Sequence, residues 1–302
     1  MIRMDKKKIG KVLYRLFDGL LNLILLAFGA VVLWLLLQVS SIATFRIPTD
    51  SMEPALTAGD NILVNKWVMG ARIFNLWDAA EGKDVKIRRL PAFGRIRRND
   101  VLVFNFPYPA AWDSIGLDLL KYYVKRCVAL PGDSFEIRRC RYGVRGSDEP
   151  LGNVASQERL ARLMESGRDR EYGIVTAGYP HHGMVDWNIA DFGPLYIPAA
   201  GSSVRMDALH ALLYRNLIEW EQRKKLVCRG DTVWLGDSII RRYRFCENYY
   251  FVAGDRVANS QDSRYWGLLP EPFIVGKAVR IWKSVDPLTG KVRWDRVWKR
   301  IE

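Results

Sequence analysis

One long apolar run near the start of the chain restricts what this protein can fold into. Residues 20–39 read LLNLILLAFGAVVLWLLLQV, with no charged residue and with only Asn22 and Gln38 as strongly polar members. A helix needs about 20 apolar residues to cross the hydrocarbon core of a bilayer. A buried helix of a soluble protein usually keeps a polar face, which this run lacks. The run therefore predicts a transmembrane anchor over residues 20–43.

The residues before the run predict its orientation. The basic stretch, residues 1–19, contains Arg3, Lys6, Lys7, Lys8, Lys11 and Arg15. Positive residues favour the cytoplasmic side, so we expect a single pass with a cytoplasmic N-terminus and everything after residue 43 on the far side. A cleavable signal peptide is the alternative. The run is longer than the apolar part of such a peptide, and no A-x-A-like site follows it.

The charge of the chain bears on its partners. Lys and Arg number 46 against 33 Asp and Glu, for a formal charge of +13 over 302 residues. Nucleic-acid binding is one interpretation of this excess. An extracytoplasmic location favours attraction to anionic lipid head groups instead, and part of the excess is solvated surface. We therefore predict membrane lipid as a partner and no nucleic acid.

The cysteines do not predict a metal cluster. Cys127, Cys140, Cys228 and Cys246 form no CxxC pair. Cys228 and Cys246 are spaced to flank a hairpin, where a disulfide is an alternative outside the cytosol, although spacing alone does not establish its geometry. Free, buried thiols are the preferred interpretation.

The rest of the chain reads as a mainly β protein. Seven strand-length segments rich in Val, Ile and aromatic residues follow the anchor: NILVNKWV, DVLVFNF, YYVKRCVAL, SFEIRRC, TVWLGDSI, YYFVAG and IVGKAVRIW. Gly-Asp dipeptides typical of turns recur near their edges. We predict a coiled antiparallel β core from residues 44–140 and 227–302. Residues 141–226, with helical patterns at 206–225 and 155–166, predict an inserted α/β subdomain.

A serine held between two prolines is the first candidate for chemistry. In FRIPTDSMEPAL, residues 45–56, Ser51 lies between Pro48 and Pro54. A plain turn residue is the structural alternative. A serine nucleophile needs a neighbouring base, usually histidine. The only histidines, His181, His182 and His210, occur in a Gly/Pro-rich loop and on a predicted helix, without a pocket context.

A buried lysine can serve as that base if its amine is neutral. Lys125 lies within YYVKRCVAL, where strand periodicity places Tyr123, Lys125 and Cys127 on one face. Burial lowers a lysine pKa, and working near neutral pH needs a decrease of roughly 2–3 units from about 10.4. A surface lysine on an edge strand is the alternative.

Four segments together resemble conserved boxes of one enzyme family. IPTDSMEPAL followed by Gly59-Asp60, then RRNDVLVFNFP, YYVKRCVALPGD and GDRVANSQDSRYWGLLPE, resemble in order the boxes of bacterial type I signal peptidases. The resemblance implies a β-rich core shared in outline with LexA-type repressors. It also implies a Ser–Lys dyad, with Ser51 as nucleophile and Lys125 as general base.

Further site residues follow from the same resemblance. Ser260 matches a serine that orients the lysine, and Asp262 and Arg264 match a bracing ion pair. Thr49 replaces a serine whose hydroxyl completes the oxyanion hole with the Ser51 amide. The expected pocket residues for substrate side chains are Phe45, Ile47, Met52, Leu56, Ile62, Tyr123 and Val124, for which ordinary core is the alternative.

One box departs from the family pattern. Asp255 matches the aspartate of a Gly-Asp-Asn-Arg box, but Arg256 and Val257 stand where the family has Asn and Arg. The ion pairing of Asp255 is therefore open, with Arg256 as a candidate replacement for the missing charge.

The resemblance implies an endopeptidase in the bacterial inner membrane that cleaves signal peptides from exported preproteins in the periplasm. The export machinery is a further candidate partner, exposed Trp67 and Trp77 are candidates for contact with the bilayer, and no metal or organic cofactor is implied. The alternatives are a catalytically inactive, membrane-anchored homologue acting as a scaffold, and a basic β-barrel that binds nucleic acid.

Overall fold

The chain divides into two compact units, Met1–Ala43 and Thr44–Glu302. The computed structural model describes residues 6–75, 77–78, 81 and 85–302, with the side chains of residues 14–34 and of those from 41 onward. Of the predicted basic stretch, Arg3 and the side chains of Lys6, Lys7, Lys8 and Lys11 lie outside the described part. The division between the units coincides with the predicted end of the anchor.

The first unit is formed by one long helix. Helix α1, Lys6–Ser41, has 36 residues, so that it begins well before the predicted span and includes much of the basic stretch. Its window Tyr14–Trp34 is long and apolar enough to cross a membrane, and none of that window is buried. At 1.5 Å per residue these 21 residues extend about 31 Å, the thickness of a hydrocarbon core.

The remaining elements are mostly short strands. In chain order the strands are β1 Ile42–Arg46, β2 Asp60–Asn65, β3 Arg72–Ile73, β4 Arg88–Arg89, β5 Val101–Asn105, β6 Tyr122–Ala129, β7 Ser134–Arg138, β8 Arg141–Val144, β9 Phe192–Tyr196, β10 Ser203–Arg205, β11 Leu226–Arg229, β12 Thr232–Leu235, β13 Ser238–Ile239, β14 Arg242–Arg244, β15 Tyr249–Ala253, β16 Leu269–Pro270 and β17 Ile274–Ser284. The further helices are α2 Val154–Glu165, α3 Ala208–Gln222 and α4 Ser263–Trp266, with 3-10 turns at Val257–Asn259, Glu271–Phe273 and Trp294–Arg296.

The principal sheet has seven strands in the order β1-β2-β17-β5-β6-β15-β16. Its pairings from β2 to β16 are antiparallel, with register shifts along β17 that bend this long strand. Along β15, Phe251 and Ala253 pack into one hydrophobic core while Tyr250 and Val252 pack into a second. The sheet is therefore covered on both faces here, and the predicted mainly β fold with an apolar N-terminal helix is confirmed.

The predicted insertion packs on the same core as the strands around it. Within residues 141–226, β8 and β9 both pair with β7, so the inserted chain extends a strand that precedes it. Phe192 of the insertion lies 6.4 Å from Phe135 and 5.5 Å from Phe251, measured between ring centroids. Helix α3 lies within the predicted pattern 206–225, and α2 begins one residue before the predicted pattern 155–166. The Asp207 carboxylate caps α3 by accepting a hydrogen bond from the His210 amide. The insertion thus has no core separate from that of its neighbours.

Candidate active site

Ser51 lies in the turn that follows β1. The turn is closed by hydrogen bonds from Glu53 N to Asp50 O (2.9 Å) and from Leu56 N to Met52 O (2.9 Å). The Ser51 carbonyl accepts a hydrogen bond from Arg256 N at 3.1 Å. Hydrogen bonds therefore fix the backbone before and after the half-buried Ser51.

Lys125 meets Ser51 from strand β6. On β6 it lies opposite Leu102 of β5, and only 4% of its surface is exposed. Its Nζ donates a hydrogen bond to Ser51 Oγ at 2.7 Å. Burial lowers the pKa of Lys125 to about 8, against the opposing attraction of Asp262. A base within hydrogen-bond distance of a serine, with a pKa near neutrality, can remove the proton of that hydroxyl.

A fully buried ion pair lies behind the lysine. Arg264 Nε and Nη2 each donate to the Asp262 carboxylate at 2.8 Å, and neither side chain is exposed. Gly254 N also donates to Asp262, at 2.9 Å. Burial alone raises the pKa of Asp262, but Arg264 and Lys125 lower it more, so the carboxylate is ionised. This charge favours the protonated lysine, which moderates the effect of burial on Lys125.

Ser260 lies beside Ser51, but it does not make the expected hydrogen bond. A Cβ at Gly254 would lie 2.1 Å from Ser260 Oγ and 2.6 Å from the Ser51 carbonyl oxygen, so the bare glycine lets these groups approach. Among the described residues, the buried Ser260 hydroxyl has no hydrogen-bond partner, whereas the Lys125 amine donates to Ser51. The expected contact between Ser260 and Lys125 is therefore not formed, and an orienting role stays a prediction.

Asp255 pairs with an arginine that the sequence did not single out. Arg126 donates from Nε and Nη2 to Asp255 at 2.7 and 2.6 Å, and both residues are buried. Arg256, the candidate replacement, contacts Asp50 and lies 3.3 Å from Glu53 instead. Arg126 follows Lys125 on a strand that is buried on both faces from Lys125 onward, and a buried arginine requires an acidic partner. The burial of Arg126 is the signal that would have identified it as the partner of Asp255.

Ser51 and Lys125 line a cleft of about 390 Å³. Of the expected pocket residues, Phe45, Ile47, Met52, Tyr123 and Val124 line it, as does Thr49. Leu56 and Ile62 do not: both are fully buried in the core and offer no surface to a substrate, so for these two the core alternative holds. Six lining residues were not among the expected site residues, namely Arg46, Pro48, Asp50, Tyr122, Asn259 and Gln261. The rings of Phe45 and Tyr122 meet at 4.9 Å between centroids.

The three histidines make other contacts and do not line the cleft. His181 Nε2 lies 2.7 Å from the Tyr265 carbonyl oxygen, His182 Nδ1 accepts from Met184 N, and His210 Nδ1 lies 2.8 Å from Asp207. Within the part of the chain that the structure describes, no group of His, Cys, Asp and Glu is arranged to hold a metal ion. All four cysteines are free thiols, so the alternative of a bridge between Cys228 and Cys246 is not realised. The expected burial holds for Cys127 and Cys140, whereas Cys228 is half-buried and Cys246 is exposed.

Comparisons with known proteins find one family to which this chain is similar. A family model described as Signal peptidase, peptidase S26, matches residues 20–283. Signal peptidase I of Buchnera aphidicola (subspecies Acyrthosiphon pisum, strain APS) is 28% identical over 256 residues, covering 80% of this chain and 68% of that protein. Signal peptidase I of Pseudomonas aeruginosa (strain PAO1) is 28% identical over 260 residues, covering 83% and 68%.

Among solved structures, this chain is similar to a signal peptidase I from Enterococcus faecalis V583. The TM-score is 0.29 and the identity 18%, over 62% of this chain and 98% of that one. The family model spans most of the chain, from the apolar helix to the last strand of the principal sheet. This protein therefore belongs to the signal peptidase family, peptidase S26, and is a hydrolase of the serine peptidase class.

Proposed function

We propose that this peptidase cleaves signal peptides from exported preproteins with Ser51 and Lys125 as its catalytic dyad. The observation that carries the proposal is the 2.7 Å contact between Lys125 Nζ and Ser51 Oγ, made by a buried amine whose pKa is lowered to about 8. An amine with an ordinary pKa is almost fully protonated at neutral pH and is a poor base. Burial lowers the pKa of Lys125 enough for its amine to act as a base.

The acylation step follows from this contact. The neutral amine of Lys125 takes the Ser51 hydroxyl proton while Oγ attacks the carbonyl carbon of the scissile peptide. The negative charge that develops on the carbonyl oxygen is stabilised by the Ser51 amide and the Thr49 hydroxyl. The Lys125 ammonium then gives its proton to the departing amine as the peptide bond breaks. An ester links Ser51 to the signal peptide.

Deacylation uses the same base. Once the mature chain leaves, Lys125 is neutral again and removes a proton from a water molecule, whose oxygen attacks the ester carbonyl. The signal peptide leaves with a free carboxylate and Ser51 recovers its proton. The apolar lining of the cleft suits small, uncharged side chains before the cut, with alanine expected at the first and third positions.

The location of the enzyme is part of the proposal. Helix α1 anchors the chain in the bacterial inner membrane with a cytoplasmic N-terminus, and the unit Thr44–Glu302 works on the periplasmic side. Trp67 and Trp77 are 39% and 81% exposed, and Trp67 packs on exposed Phe93. Exposed tryptophans favour a membrane interface, so we propose that these residues touch the lipid where substrate emerges.

The inactive scaffold is the weaker candidate, because a scaffold would not need the buried Lys125 amine within hydrogen-bond distance of Ser51. Purified full-length enzyme should cleave a preprotein, while Ser51→Ala, Lys125→Ala and Lys125→Arg should each nearly abolish cleavage. The double alanine variant should be little worse than either single one, since the two residues act as one unit. A guanidinium stays protonated and cannot replace the amine as base.

Lys121→Ala is the matched control, because Lys121 precedes β6 and contacts the Phe106 ring instead of the cleft. Its activity should equal that of the unmodified enzyme. Substantial turnover by Lys125→Arg would remove lysine from the mechanism. Full turnover by Ser51→Ala would remove the proposed nucleophile.

A further inference from the structure

The turn that carries Ser51 is held by two arginines from the C-terminal end of the chain. Arg296 Nη2 donates to the Ala55 carbonyl at 3.0 Å, and Arg293 Nη2 donates to the Ala58 carbonyl at 2.7 Å. Both arginines flank or lie in the 3-10 turn Trp294–Arg296. We refer to Arg293 and Arg296 as the C-terminal arginine pair. Both residues lie beyond residue 283, where the family match ends.

The arginine pair also holds the carboxylate that ends the turn. Asp60 is fully buried, and Arg296 donates to its two oxygens from Nη2 at 2.6 Å and from Nε at 3.1 Å. Arg293 lies 3.6 Å from the same carboxylate. Asp60 in turn accepts from Thr57 N at 2.9 Å, inside the turn. One guanidinium thus contacts the middle of the turn and its end simultaneously.

The C-terminal segment is itself fixed to the principal sheet. Arg293 N donates to the Ser284 carbonyl at 3.0 Å, and Arg293 Nε donates to the Ser284 hydroxyl at 2.8 Å. Val285 N donates to Gly59 O at 3.1 Å. Gly59 has a φ of +92°, and a Cβ there would lie 1.9 Å from the Val285 carbonyl oxygen. Only glycine permits this approach, so the segment and the turn are packed backbone to backbone.

These contacts lead directly to the nucleophile. Arg296 holds the carbonyl of Ala55, and the next amide, Leu56 N, is bonded to Met52 O at 2.9 Å. Met52 follows Ser51 in the chain. At the base of the turn, Gly59 N donates to Ile47 O and Ile47 N donates to Asp60 O, both at 2.8 Å. A displacement of residues 55–60 is therefore transmitted towards Ser51 from both sides, through the bond to Met52 and through the two bonds with Ile47.

We infer that the C-terminal arginine pair positions the Ser51 turn for catalysis, with Arg296 as the principal positioning residue. The inference rests on the proposed role of Ser51 as nucleophile. Neither arginine lines the cleft, so they act through the turn and do not touch substrate. In the proposed mechanism the Ser51 hydroxyl attacks the carbonyl carbon while the Ser51 amide donates to the oxygen of the same carbonyl. A misplacement of about 1 Å at such a site costs on the order of 10²-fold in rate.

The test compares three arginine variants with a control on the same segment. Arg296→Met removes the contacts with Ala55 and Asp60, and Arg293→Met removes those with Ala58 and Ser284. Arg296→Lys keeps a cation for Asp60, but one ammonium cannot reproduce the fork of three contacts. Arg280→Met is the control, because Arg280 Nη1 donates to the Trp298 carbonyl at 2.9 Å and makes no bond to the turn. All are assayed as full-length enzyme, well below each variant's melting temperature.

We expect Arg296→Met to lower kcat about 10- to 100-fold with KM changed less than about twofold. Arg296→Lys should fall between Arg296→Met and the unmodified enzyme, Arg293→Met should show a smaller loss of the same kind, and Arg280→Met should keep its kcat. The apparent pKa of the pH–rate profile should stay the same in all of them, since none contacts Lys125. A residue with a purely structural role would lower the melting temperature and leave kcat of the folded enzyme intact.

Unchanged kcat in folded Arg296→Met and Arg293→Met overturns the inference. If Arg296→Met does not fold, Arg296→Lys and Arg293→Met decide the matter by the same criterion. Ser51→Ala in the same assay separates the two proposals. Cleavage that persists in Ser51→Ala refutes the nucleophile, whereas its loss together with normal arginine variants refutes the positioning role alone.

Discussion

At the scale of single residues, Lys125 shows how burial generates a base and what that burial costs. The pKa of its amine is about 8 in the folded protein, against 10.5 ordinarily. The unfolded chain therefore binds more protons between these values, so stability rises with pH across this window. Below pH 8 the full penalty applies, about 3 kcal/mol for this shift. Below pH 8 the buried lysine therefore lowers the free energy of unfolding by this amount.

The same pKa predicts the pH dependence of activity. Because only the neutral amine accepts the serine proton, kcat/KM should rise tenfold per pH unit below about 8 and level off above it. A pH–rate profile on a short peptide substrate measures this. The profile should be unaffected by His181→Ala, which changes a histidine outside the cleft. A plateau that already begins near pH 6 would contradict a lysine base.

Thr49 offers a second test at this scale. The residue is exposed and lines the cleft two positions before Ser51, and its hydroxyl is the proposed second donor to the developing oxyanion. Thr49→Ser keeps the donor and should keep most activity. Thr49→Val keeps the shape and should lower kcat on the order of 10²- to 10³-fold with little change in KM. A full kcat with a lowered melting temperature in Thr49→Val would assign the hydroxyl to the turn and not to catalysis.

At the scale of elements, the site depends on how closely the end of β15 approaches the Ser51 turn. Gly254 follows β15, donates its amide to Asp262, and leaves room for Ser260 and the Ser51 carbonyl. Arg256, two residues later, bonds that same carbonyl. One strand end thus connects the nucleophile with the buried ion pair.

Gly254→Ala is predicted to disrupt this junction. The new methyl would meet Ser260 Oγ at 2.1 Å and the Ser51 carbonyl oxygen at 2.6 Å, so the turn must move. We expect kcat to fall about 10²-fold. Gly143→Ala on β8 is the control, since its nearest neighbour, the Glu136 carbonyl oxygen, lies at 4.0 Å. Normal kinetics in Gly254→Ala would show that the approach of β15 does not matter for catalysis.

At the scale of the whole molecule, the two compact units separate at Ala43 and Thr44. The second unit contains the cleft, the dyad and the hydrophobic cores. A unit with its own core is expected to fold independently of its neighbour. Under the proposed location, the helix serves to hold the enzyme at the membrane.

A chain of residues 44–302 is accordingly predicted to fold and to cleave a soluble peptide with a kcat within about tenfold of the full-length enzyme. Cleavage of a membrane-embedded preprotein should fall further, by up to about 10²-fold, because tethering no longer raises the local concentration. Circular dichroism and parallel assays on both substrates measure this. An unfolded product, or equal losses on the two substrates, would contradict the division of roles.

Several features were predictable from local sequence because local patterns encode them. The apolar run, the strand segments and helices α2 and α3 follow from periodicity, which neighbouring residues carry. The resemblance to family boxes singled out Ser51 and Lys125, although their contact joins residues 74 positions apart.

Contacts between residues far apart in the chain could not be predicted from local sequence patterns. The pairing of Asp255 with Arg126, the burial of Leu56 and Ile62, and the unbonded Ser260 hydroxyl depend on how distant strands meet. The C-terminal arginine pair reaches back 235 and 241 residues to the Ser51 turn. The sequence alone therefore determined the apolar helix and the β class, and it singled out the two residues of the proposed dyad. The tertiary structure decided which charges pair and what holds the Ser51 turn, because burial and distance are properties of the folded chain.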